Sequence, residues 1–345
     1  MTSPKRLARE ASRNELNSQV ITMKAWTYDR YGSPDILEFR EIDMPTGNDD
    51  HVLVRIRAAA INPYDWRLMG ANPQLVRLVK GLRRPRQAVI AGADMAGVVE
   101  SVGKDVTRFR PGDEVYAETD AGCLADYASI WQERVALKPA NLTFEQAAAV
   151  PMAALTALQG LRNIGQIEEG QKVLINGASG GIGTFAVQIA KSYGTEVTGV
   201  CSTRNVELVR SIGADHVVDY TQEDFTRSGE RYELLLDTVG NHSIRAFRRA
   251  VASKGTFVMA GGGGGRWLGP VPQLLKGKLL SPFVSQRIVT FVCKPNREDL
   301  EFLKELIEAG KVMPVIDRTF PLAEAPDAIR YLEGGHARGK VVITV

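Results

Sequence analysis

One short stretch, residues 173–187, constrains this chain more than any other, and it reads VLINGASGGIGTFAV. An apolar run ends at Asn176, glycines crowd the next few positions, and a small-residue apolar pattern continues from Phe185. This order predicts a strand, a tight turn and the start of a helix, whose unpaired N–H groups and positive dipole end suit a pyrophosphate. Gly180 would let phosphates approach the backbone, and Gly183 would let the helix pack closely on the strand.

The same stretch admits a second interpretation. As a dinucleotide fingerprint it is the variant A-x-G-x-x-G, because Ala178 stands where the first glycine is usual. It also contains G-x-S-x-G, with Ser179 at the centre, which is the nucleophile elbow of an α/β-hydrolase. A glycine-rich turn without a ligand is the third possibility, so the order of elements elsewhere has to decide.

Length and composition narrow the class of protein. A chain of 345 residues predicts about two domains, and its 44% hydrophobic and 24% charged residues are ordinary for a globular protein. A net charge of +3 gives no reason to expect a nucleic-acid partner. The three cysteines lie far apart, no apolar run reaches transmembrane length, and residues 1–22 are basic without an apolar signal segment. We therefore expect a cytoplasmic protein whose first 22 residues form a flexible extension.

The hydrophobic pattern changes along the chain. Short strand-like runs and turns dominate residues 23–150, which predicts a mostly β domain, with residues 61–67 as a loop because Pro63 disfavours a helical Asn62. From residue 172 strands and helices alternate, which predicts a doubly wound parallel sheet within residues 151–289. Strand-like runs at 314–320 and 340–345 are expected to return to the first domain, so that residues 290–345 complete it. The predicted fold class is α/β.

This order argues against a hydrolase. Asp219 or Asp237 followed by His242 or His336 would satisfy the order of a catalytic triad only formally. The half before the elbow shows no α/β pattern and no oxyanion segment, so we interpret residues 173–187 as a dinucleotide loop.

The end of the second predicted strand indicates which dinucleotide binds. NAD sites usually place a carboxylate there, about 20 residues after the glycine turn. This chain has Cys201 followed by Ser202, Thr203 and Arg204, and a guanidinium with hydroxyls suits a 2′-phosphate. We therefore predict NADPH, with a solvated turn carrying a chance arginine as the alternative.

No metal site is predicted, because the four histidines are not spaced with cysteines in a ligand pattern. Residues 75–86 hold five basic residues and no acid, which favours a solvated helix face, with contact to an anionic cofactor or a membrane surface as the alternative. The apolar and basic stretch 266–287 would cover a substrate mouth or pack between domains.

Taken together, the chain resembles the zinc-free quinone oxidoreductase (zeta-crystallin-like) branch of the medium-chain dehydrogenase/reductase superfamily, near the reticulon-interacting oxidoreductases and enone reductases. The stretches that carry the resemblance are MKAWTYDRYGSPDILE, INPYDWRLMG, AGADMAGVVESVGKDVTRFRPGDEV, GASGGIG, CSTRNVELVRSIGADHVVDY and GHARGKVVITV. The resemblance implies a GroES-like catalytic domain, an inserted Rossmann domain and a C-terminal return to the first. It implies a homodimer formed through the sheet edge near residues 255–260.

The resemblance also implies residue roles. Asn62, Tyr64 and Arg67 would face a small hydrophobic carbonyl or quinone substrate, which receives a hydride from NADPH. Asn62, Ala93 and Met152 stand where zinc-containing relatives have their ligands, and the four-cysteine structural lobe is missing from the sequence. The residues implied to hold the cofactor are Thr156, Ser179, Gly180, Gly181, Ile182, Gly183, Ser202, Arg204, Tyr220, Val239, Gly240, Gly261, Phe291, Cys293, His336, Ala337, Arg338 and Lys340.

Two other functions stay open at this point. One is a zinc-free alcohol dehydrogenase or enoyl reductase of the same superfamily, and the other is a non-catalytic NADPH-binding protein, since a fold does not dictate an activity.

Overall fold

The computed structural model describes residues 21–72, 74, 76–260 and 285–345. The first part of the chain is rich in strands, as its alternating pattern predicts. These strands are Thr22–Tyr28 (β1), Glu38–Asp43 (β2), His51–Ile61 (β3), Val89–Ile90 (β4), Asp94–Val102 (β5), Glu114–Glu118 (β6), Tyr127–Trp131 (β7) and Val135–Leu137 (β8). Strands β2, β1 and β4 form a three-stranded sheet, and β3, β5, β6 and β8 follow one another in a larger one in which β7 pairs with β3.

Short helices connect these strands to the second half of the chain. They are Pro63–Met69 (α1), Val76–Lys80 (α2), Phe144–Ala148 (α3) and Pro151–Leu158 (α4), and a π-helical turn at Gln159–Ile164 continues the last of them. Helix α1 corrects the prediction of a loop over residues 61–67. Asn62 is extended, as the following proline requires, but Pro63 then occupies the first helical position, where its missing N–H costs nothing.

The second half of the chain contains a parallel sheet covered by helices. Its strands are Lys172–Asn176 (β9), Glu196–Cys201 (β10), His216–Asp219 (β11), Tyr232–Asp237 (β12), Val251–Met259 (β13) and Arg287–Thr290 (β14). The helices between them are Gly181–Ser192 (α5), Val206–Ser211 (α6) and Ile244–Ala250 (α7). The strand order β11-β10-β9-β12-β13-β14 is the doubly wound Rossmann order, which confirms the predicted fold class.

The described part of the chain ends with a return to the first sheet. Helix Arg297–Glu308 (α8), strand Ile316–Pro321 (β15), helix Ala325–Glu333 (α9) and strand Lys340–Thr344 (β16) follow β14. Strand β16 pairs antiparallel with β3, and β15 pairs parallel with β16, so the larger sheet has seven strands. The predicted C-terminal return is therefore confirmed.

One apolar core spans both halves of the fold. Alanines of α3 and α4 lie fully buried between the seven-stranded sheet and the parallel sheet, where their small side chains allow close packing. The hydroxyl of Tyr116 on β6 donates to the carbonyl of Leu300 on α8 at 2.6 Å. The region between the two sheets is thus part of one continuous buried core.

The structure also bears on the predicted sheet edge at residues 255–260 and on the basic segment 75–86. Strand β13 lies between β12 and β14, so residues 255–260 are not a sheet edge, and β14 is the outer strand among the described residues. Helix α2 covers only part of the basic segment 75–86, and Leu78 and Leu82 are largely exposed there. Residues 1–20, Gly261 and most of the stretch 266–287 lie outside the described residues. In the described ranges, every helix is too short or too polar to cross a membrane.

Candidate active site

The glycine turn after β9 builds an open helix N-terminus. Gly177 has φ +87°, which a glycine adopts without strain, and Gly180 is the N-cap of α5 and has no side chain to cap the helix. A Cβ atom on Gly183 would lie 2.0 Å from the carbonyl oxygen of Gly177, whereas one on Gly180 would lie 3.4 Å from it. The helix therefore packs tightly on the turn at Gly183 while the backbone at Gly180 is approachable.

This turn sits where a dinucleotide is expected to bind. It follows β9, whose neighbours β10 and β12 carry the chain in opposite directions across the sheet, and ligands of open α/β folds occupy that switch point. The uncapped helix start offers N–H donors and a positive dipole end to a pyrophosphate. The residues present thus fit a dinucleotide.

A buried amide joins this turn to the end of β10. The Asn205 side chain donates to the hydroxyls of Ser179 and Ser202, at 3.0 and 3.2 Å. Its Oδ1 is buried and has no hydrogen-bond partner among the described residues. Sequence analysis missed Asn205, although its position between a strand end and a helix is typical of a capping asparagine.

Two opposite charges lie near the end of β10: Arg204, which follows that strand, and Asp219, which ends the neighbouring strand β11. Arg204 is exposed and donates to the carbonyl of His336 at 2.8 Å. Asp219 ends β11 in register with Cys201 and accepts the hydroxyl of Thr203 at 2.5 Å, and this hydrogen bond holds the pKa of Asp219 below its ordinary value. Although β10 itself ends without a carboxylate, β11 brings one beside it, which sequence analysis missed.

A second, buried polar cluster lies at Asp94, the first residue of β5, which is 0% exposed. Its Oδ2 accepts the Asn62 amide at 2.9 Å and the Lys340 ammonium at 3.3 Å, and its Oδ1 accepts the backbone N–H of Met152 at 3.1 Å. Lys340, which is 3% exposed, also donates to the Asn62 carbonyl oxygen. Burial raises the pKa of Asp94, and the nearby charge of Lys340 opposes that rise.

Lys340 and Asn62 are both held in place by contacts within this cluster. The resemblance implies that Lys340 closes over the cofactor; in the structure its stem lies beside Gly181 of the turn and its ammonium contacts Asn62 and Asp94. Asn62 also receives support from Asp65, whose carboxylate accepts its backbone N–H at 2.7 Å as part of a capping box. Burial raises the pKa of Asp65 to about 7. The sequence alone does not single out Asp94, although an acid that precedes the apolar run 95–99 is a recognisable signal.

The other two residues predicted to face the substrate lie on α1. Tyr64 is half-buried, and burial, followed by the charges of Asp120, Asp65 and Glu118, raises its pKa to about 12. Its hydroxyl is therefore protonated at neutral pH and can donate a hydrogen bond. The Arg67 guanidinium lies 5.2 Å from the ring centroid of Trp66, and burial lowers its pKa.

Three residues predicted for the nicotinamide end come together near the Asp94 cluster. The Thr156 hydroxyl donates to the Met152 carbonyl at 2.7 Å, and a hydrogen bond with Thr156 opposes the burial that raises the pKa of Cys293. Phe291 lies against Gly160, where a Cβ atom would approach its ring to 3.3 Å.

The remaining predicted residues lie around the glycine turn at different exposures. Val239 and Gly240 donate their N–H groups to Asp237 at 3.0 Å each, and Tyr220 is 56% exposed. A β-bridge between Gly180 and Gly339 holds the segment of His336, Ala337 and Arg338 beside the turn. The structure thus joins the turn to the Asp94 cluster through Gly339 and Lys340.

The positions that resemble zinc ligands surround Asp94. Asn62 and Met152 donate to its two oxygens, and Ala93 precedes it in the chain. Ala93 has no ligating atom, and the other two use an amide and a backbone N–H. The described residues contain no group of three or more His, Cys, Asp or Glu that could hold a metal ion.

A glycine turn at the switch point of a parallel sheet, beside a buried polar cluster from a β-rich unit, defines the class of dinucleotide-binding dehydrogenases and reductases. Family models agree: "Alcohol dehydrogenase GroES-like domain" matches residues 48–188, and "Zinc-binding dehydrogenase" matches residues 212–343.

Whole-chain comparisons agree as well. The mitochondrial NAD(P)H oxidoreductase RTN4IP1 of Bos taurus is 35% identical over 94% of this chain and 89% of the relative. The chloroplastic NADPH-dependent alkenal/one oxidoreductase of Arabidopsis thaliana is 35% identical over 93% of this chain and 79% of the relative. The structure of the quinone oxidoreductase from Coxiella burnetii superposes with a TM-score of 0.82 at 30% identity, over 94% of this chain and all of that one. The chain therefore belongs to the medium-chain dehydrogenase/reductase superfamily, among its quinone and enone oxidoreductases, which confirms the resemblance seen in the sequence.

Proposed function

We propose that this protein is an NADPH-dependent oxidoreductase that transfers a hydride to a quinone or an α,β-unsaturated carbonyl compound. The observation that carries the proposal is the Gly180–Gly339 bridge, because it holds a phosphate-binding helix start next to the buried Asn62–Asp94–Lys340 cluster. The printed names of the relatives, which include NAD(P)H, alkenal/one and quinone oxidoreductases, support the same reaction class.

Different residues would bind the different parts of the cofactor. Residues 179–183 would hold the pyrophosphate at the start of α5, while Ser202 and Arg204 would bind the 2′-phosphate and Tyr220 would lie on the adenine side. Thr156, Phe291 and Cys293 would contact the nicotinamide end, with Val239 and Gly240 along the channel. When bound, the cofactor supplies the hydride.

The substrate carbonyl would be polarised by hydrogen bonds. The Asn62 amide is fixed by Asp94 and Lys340, and an amide nitrogen carries a second N–H that can point to a substrate oxygen. The Tyr64 hydroxyl is the other donor on α1, and Arg67 adds positive charge at the end of that helix. Such donors stabilise the oxyanion that develops as the hydride arrives.

We further propose that the reaction needs no zinc. At the three positions where related enzymes place ligands this chain offers an amide, a methyl group and a thioether, and Ala93 removes one ligand outright. Asn62 and Tyr64 would polarise the substrate carbonyl by hydrogen bonds, as a metal ion does in zinc-containing relatives.

A preference for NADPH over NADH is part of the proposal. Arg204 provides the charge for a 2′-phosphate, whereas Asp219 on the neighbouring strand provides the opposite charge. Because Thr203 and Thr221 hydroxyls already occupy Asp219, we assign the 2′-phosphate to Arg204 and Ser202.

The unit 23–150 with 290–345 would be the catalytic domain, and 151–289 the cofactor domain. We propose a homodimer in which the outer strand β14 of each copy pairs with its partner, replacing the assignment to residues 255–260. A variant with Ile288→Pro should lose dimer mass in light scattering, because proline removes a ladder hydrogen bond.

The experiment that tests the function is a panel of small quinones and enones, assayed for NADPH and NADH oxidation. Turnover with NADPH, and faster turnover than with NADH, supports the proposal. Tight NADPH binding without oxidation by any acceptor would instead indicate a non-catalytic nucleotide-binding protein.

A further inference from the structure

A further buried acid near the Asp94 cluster, Glu118, has a carboxylate oxygen without a hydrogen-bond partner among the described residues. It ends β6 after three fully buried residues and is itself 5% exposed. Its Oε2 is buried and makes no hydrogen bond to any of the described residues. An ionised carboxylate in that position would be strongly unfavourable, because nothing replaces the water it has lost.

Asp94, the acid next to Glu118, forms the ion pair with Lys340. Glu118 is the register partner of Asp94 across the antiparallel pair β6–β5, so the two side chains share one face of the sheet. Both oxygens of Asp94 accept hydrogen bonds, from Asn62, Lys340 and Met152, which is the pattern of an ionised group. Lys340 therefore neutralises Asp94, and Glu118 is left without a counter-ion of its own.

The remaining charged groups near Glu118 pair with each other. Arg134, in the turn after β7, forms an ion pair with Asp120 at 3.1 Å. Burial is the main cause that raises the pKa of Glu118 to about 8, and the charge of Asp94 adds to it, while Arg134 and Lys340 oppose it. At neutral pH the side chain is a carboxylic acid, which carries a proton it can give away.

Glu118 also lies between groups from both sides of the proposed reaction site. Its ionised form, which is present at high pH, would raise the pKa values of Tyr64 on α1, of Cys293 after β14 and of the buried Cys123, so Glu118 lies within electrostatic range of all three. The next residue, Thr119, donates its backbone N–H to the Ala93 carbonyl at 2.7 Å, which fixes the end of β6 beside the position of Ala93. Glu118 is therefore held beside Asp94, whose partner Asn62 would contact the substrate under the proposed function.

We propose that Glu118 is kept as a neutral carboxylic acid and donates the proton to the substrate oxygen during reduction. This inference rests on the proposed function. For an enone, the hydride and its electron pair form a new C–H bond at the β-carbon, and the π electrons move to the carbonyl, whose oxygen becomes negative. That oxygen takes the proton from Glu118, the O–H bond of the acid breaks, and the resulting enol becomes the ketone in water. The carboxylate left behind recovers a proton from solvent.

The test compares Glu118→Gln with Glu114→Gln, a matched control on the same strand whose side chain is exposed. Glu118→Gln should lower kcat with an enone about 100-fold while the KM for NADPH stays within a factor of two, and the control should keep the wild-type kcat. The wild-type kcat should fall as pH rises through about 8, and Glu118→Gln should lack that limb. An unchanged kcat, or the same alkaline limb in both proteins, would overturn the proposal.

A second readout needs neither cofactor nor turnover. If Glu118 is neutral in the folded protein, its proton must be lost as pH rises toward 8, so the wild type should lose thermal stability there relative to Glu118→Gln. The difference in Tm between the variants should therefore grow from pH 6 to pH 9. A difference that stays constant would show that Glu118 is already ionised. If the wild type reduces no quinone or enone, the proposed function fails together with the donor role, whereas the Tm series still decides the protonation state.

Discussion

The Lys340 ammonium lies 3.3 Å from the Asp94 carboxylate, and both groups are almost completely buried. Their residues are 246 positions apart, so the pair ties β16 to β5 at the centre of the candidate site. Removing one member would leave the other as an uncompensated buried charge.

Lys340→Met should therefore lower the free energy of unfolding by about 3–5 kcal/mol, measured by urea denaturation. Adding Asp94→Leu should recover a large part of that loss, because no charge is then stranded. The control is Lys304→Met, which breaks a more exposed pair with Glu308 on α8 and should cost about 0.5 kcal/mol or less. Equal losses for the two lysines would contradict the role given to the buried pair.

The pH dependence of stability should follow the buried acids. The pKa of Asp65 is raised to about 7 and that of Glu118 to about 8, both above their values in the unfolded chain. Each contributes stability that is present at low pH and is lost as pH rises through those values. The free energy of unfolding should fall between about pH 5 and about pH 8 and level off above it, by at most about 1.4 kcal/mol per pH unit for each group. Flat urea midpoints over this range would argue against two neutral acids.

Two glycines of the same turn should separate folding from binding. Gly183→Ala should destabilise the protein by about 1–3 kcal/mol, because its Cβ atom would lie 2.0 Å from the Gly177 carbonyl oxygen. Gly180→Ala meets no atom nearer than 3.4 Å, so its Tm should stay close to the wild type. It should nevertheless weaken NADPH binding, because the methyl group occupies the approach of the phosphates. Calorimetric Tm and Kd values check both, and a stable Gly183→Ala protein would refute the close packing.

Arg204→Ala should weaken NADPH binding about 10- to 100-fold, because charge-assisted hydrogen bonds to the 2′-phosphate are lost. NADH binding should change less than three-fold. Arg210→Ala is the control, since Arg210 is an exposed arginine a short way along the chain that pairs with Glu207. Equal weakening of both cofactors in titrations followed by fluorescence would remove Arg204 from the 2′-phosphate site.

Metal chelation should leave turnover unchanged. The proposed site uses Asn62 and Tyr64 where a metal would otherwise polarise the substrate, and Ala93 cannot ligate one. Dialysis against a chelator, followed by kcat measurement with and without added zinc, checks this. A loss of activity that zinc restores would overturn the zinc-free mechanism.

The sequence predicts the parallel sheet well because each strand and helix has its own local period, and strand bounds such as Lys172–Asn176 follow from it directly. Helix α1 is not predicted by the local pattern, because Pro63 both restricts Asn62 to an extended conformation and can occupy the first position of a helix. The pairing of Glu118 with Asp94 could not be predicted, since it depends on the register between two strands that local pattern does not determine. The wrong choice of sheet edge has a similar cause, because β14 is only four residues long and is recognisable only by its pairing with β13.

The position of Lys340 has a consequence for synthesis. Asp94 and Asn62 emerge from the ribosome long before β16, which carries the only ammonium they contact among the described residues. A nascent chain can assemble β3, β5 and β6 and even the whole parallel sheet, yet its polar centre lacks its positive charge until Lys340, the first residue of β16, has been made. The buried ion pair therefore forms only after Lys340 has been synthesised, and chains that stop before Lys340 are expected to be unstable before they could bind substrate.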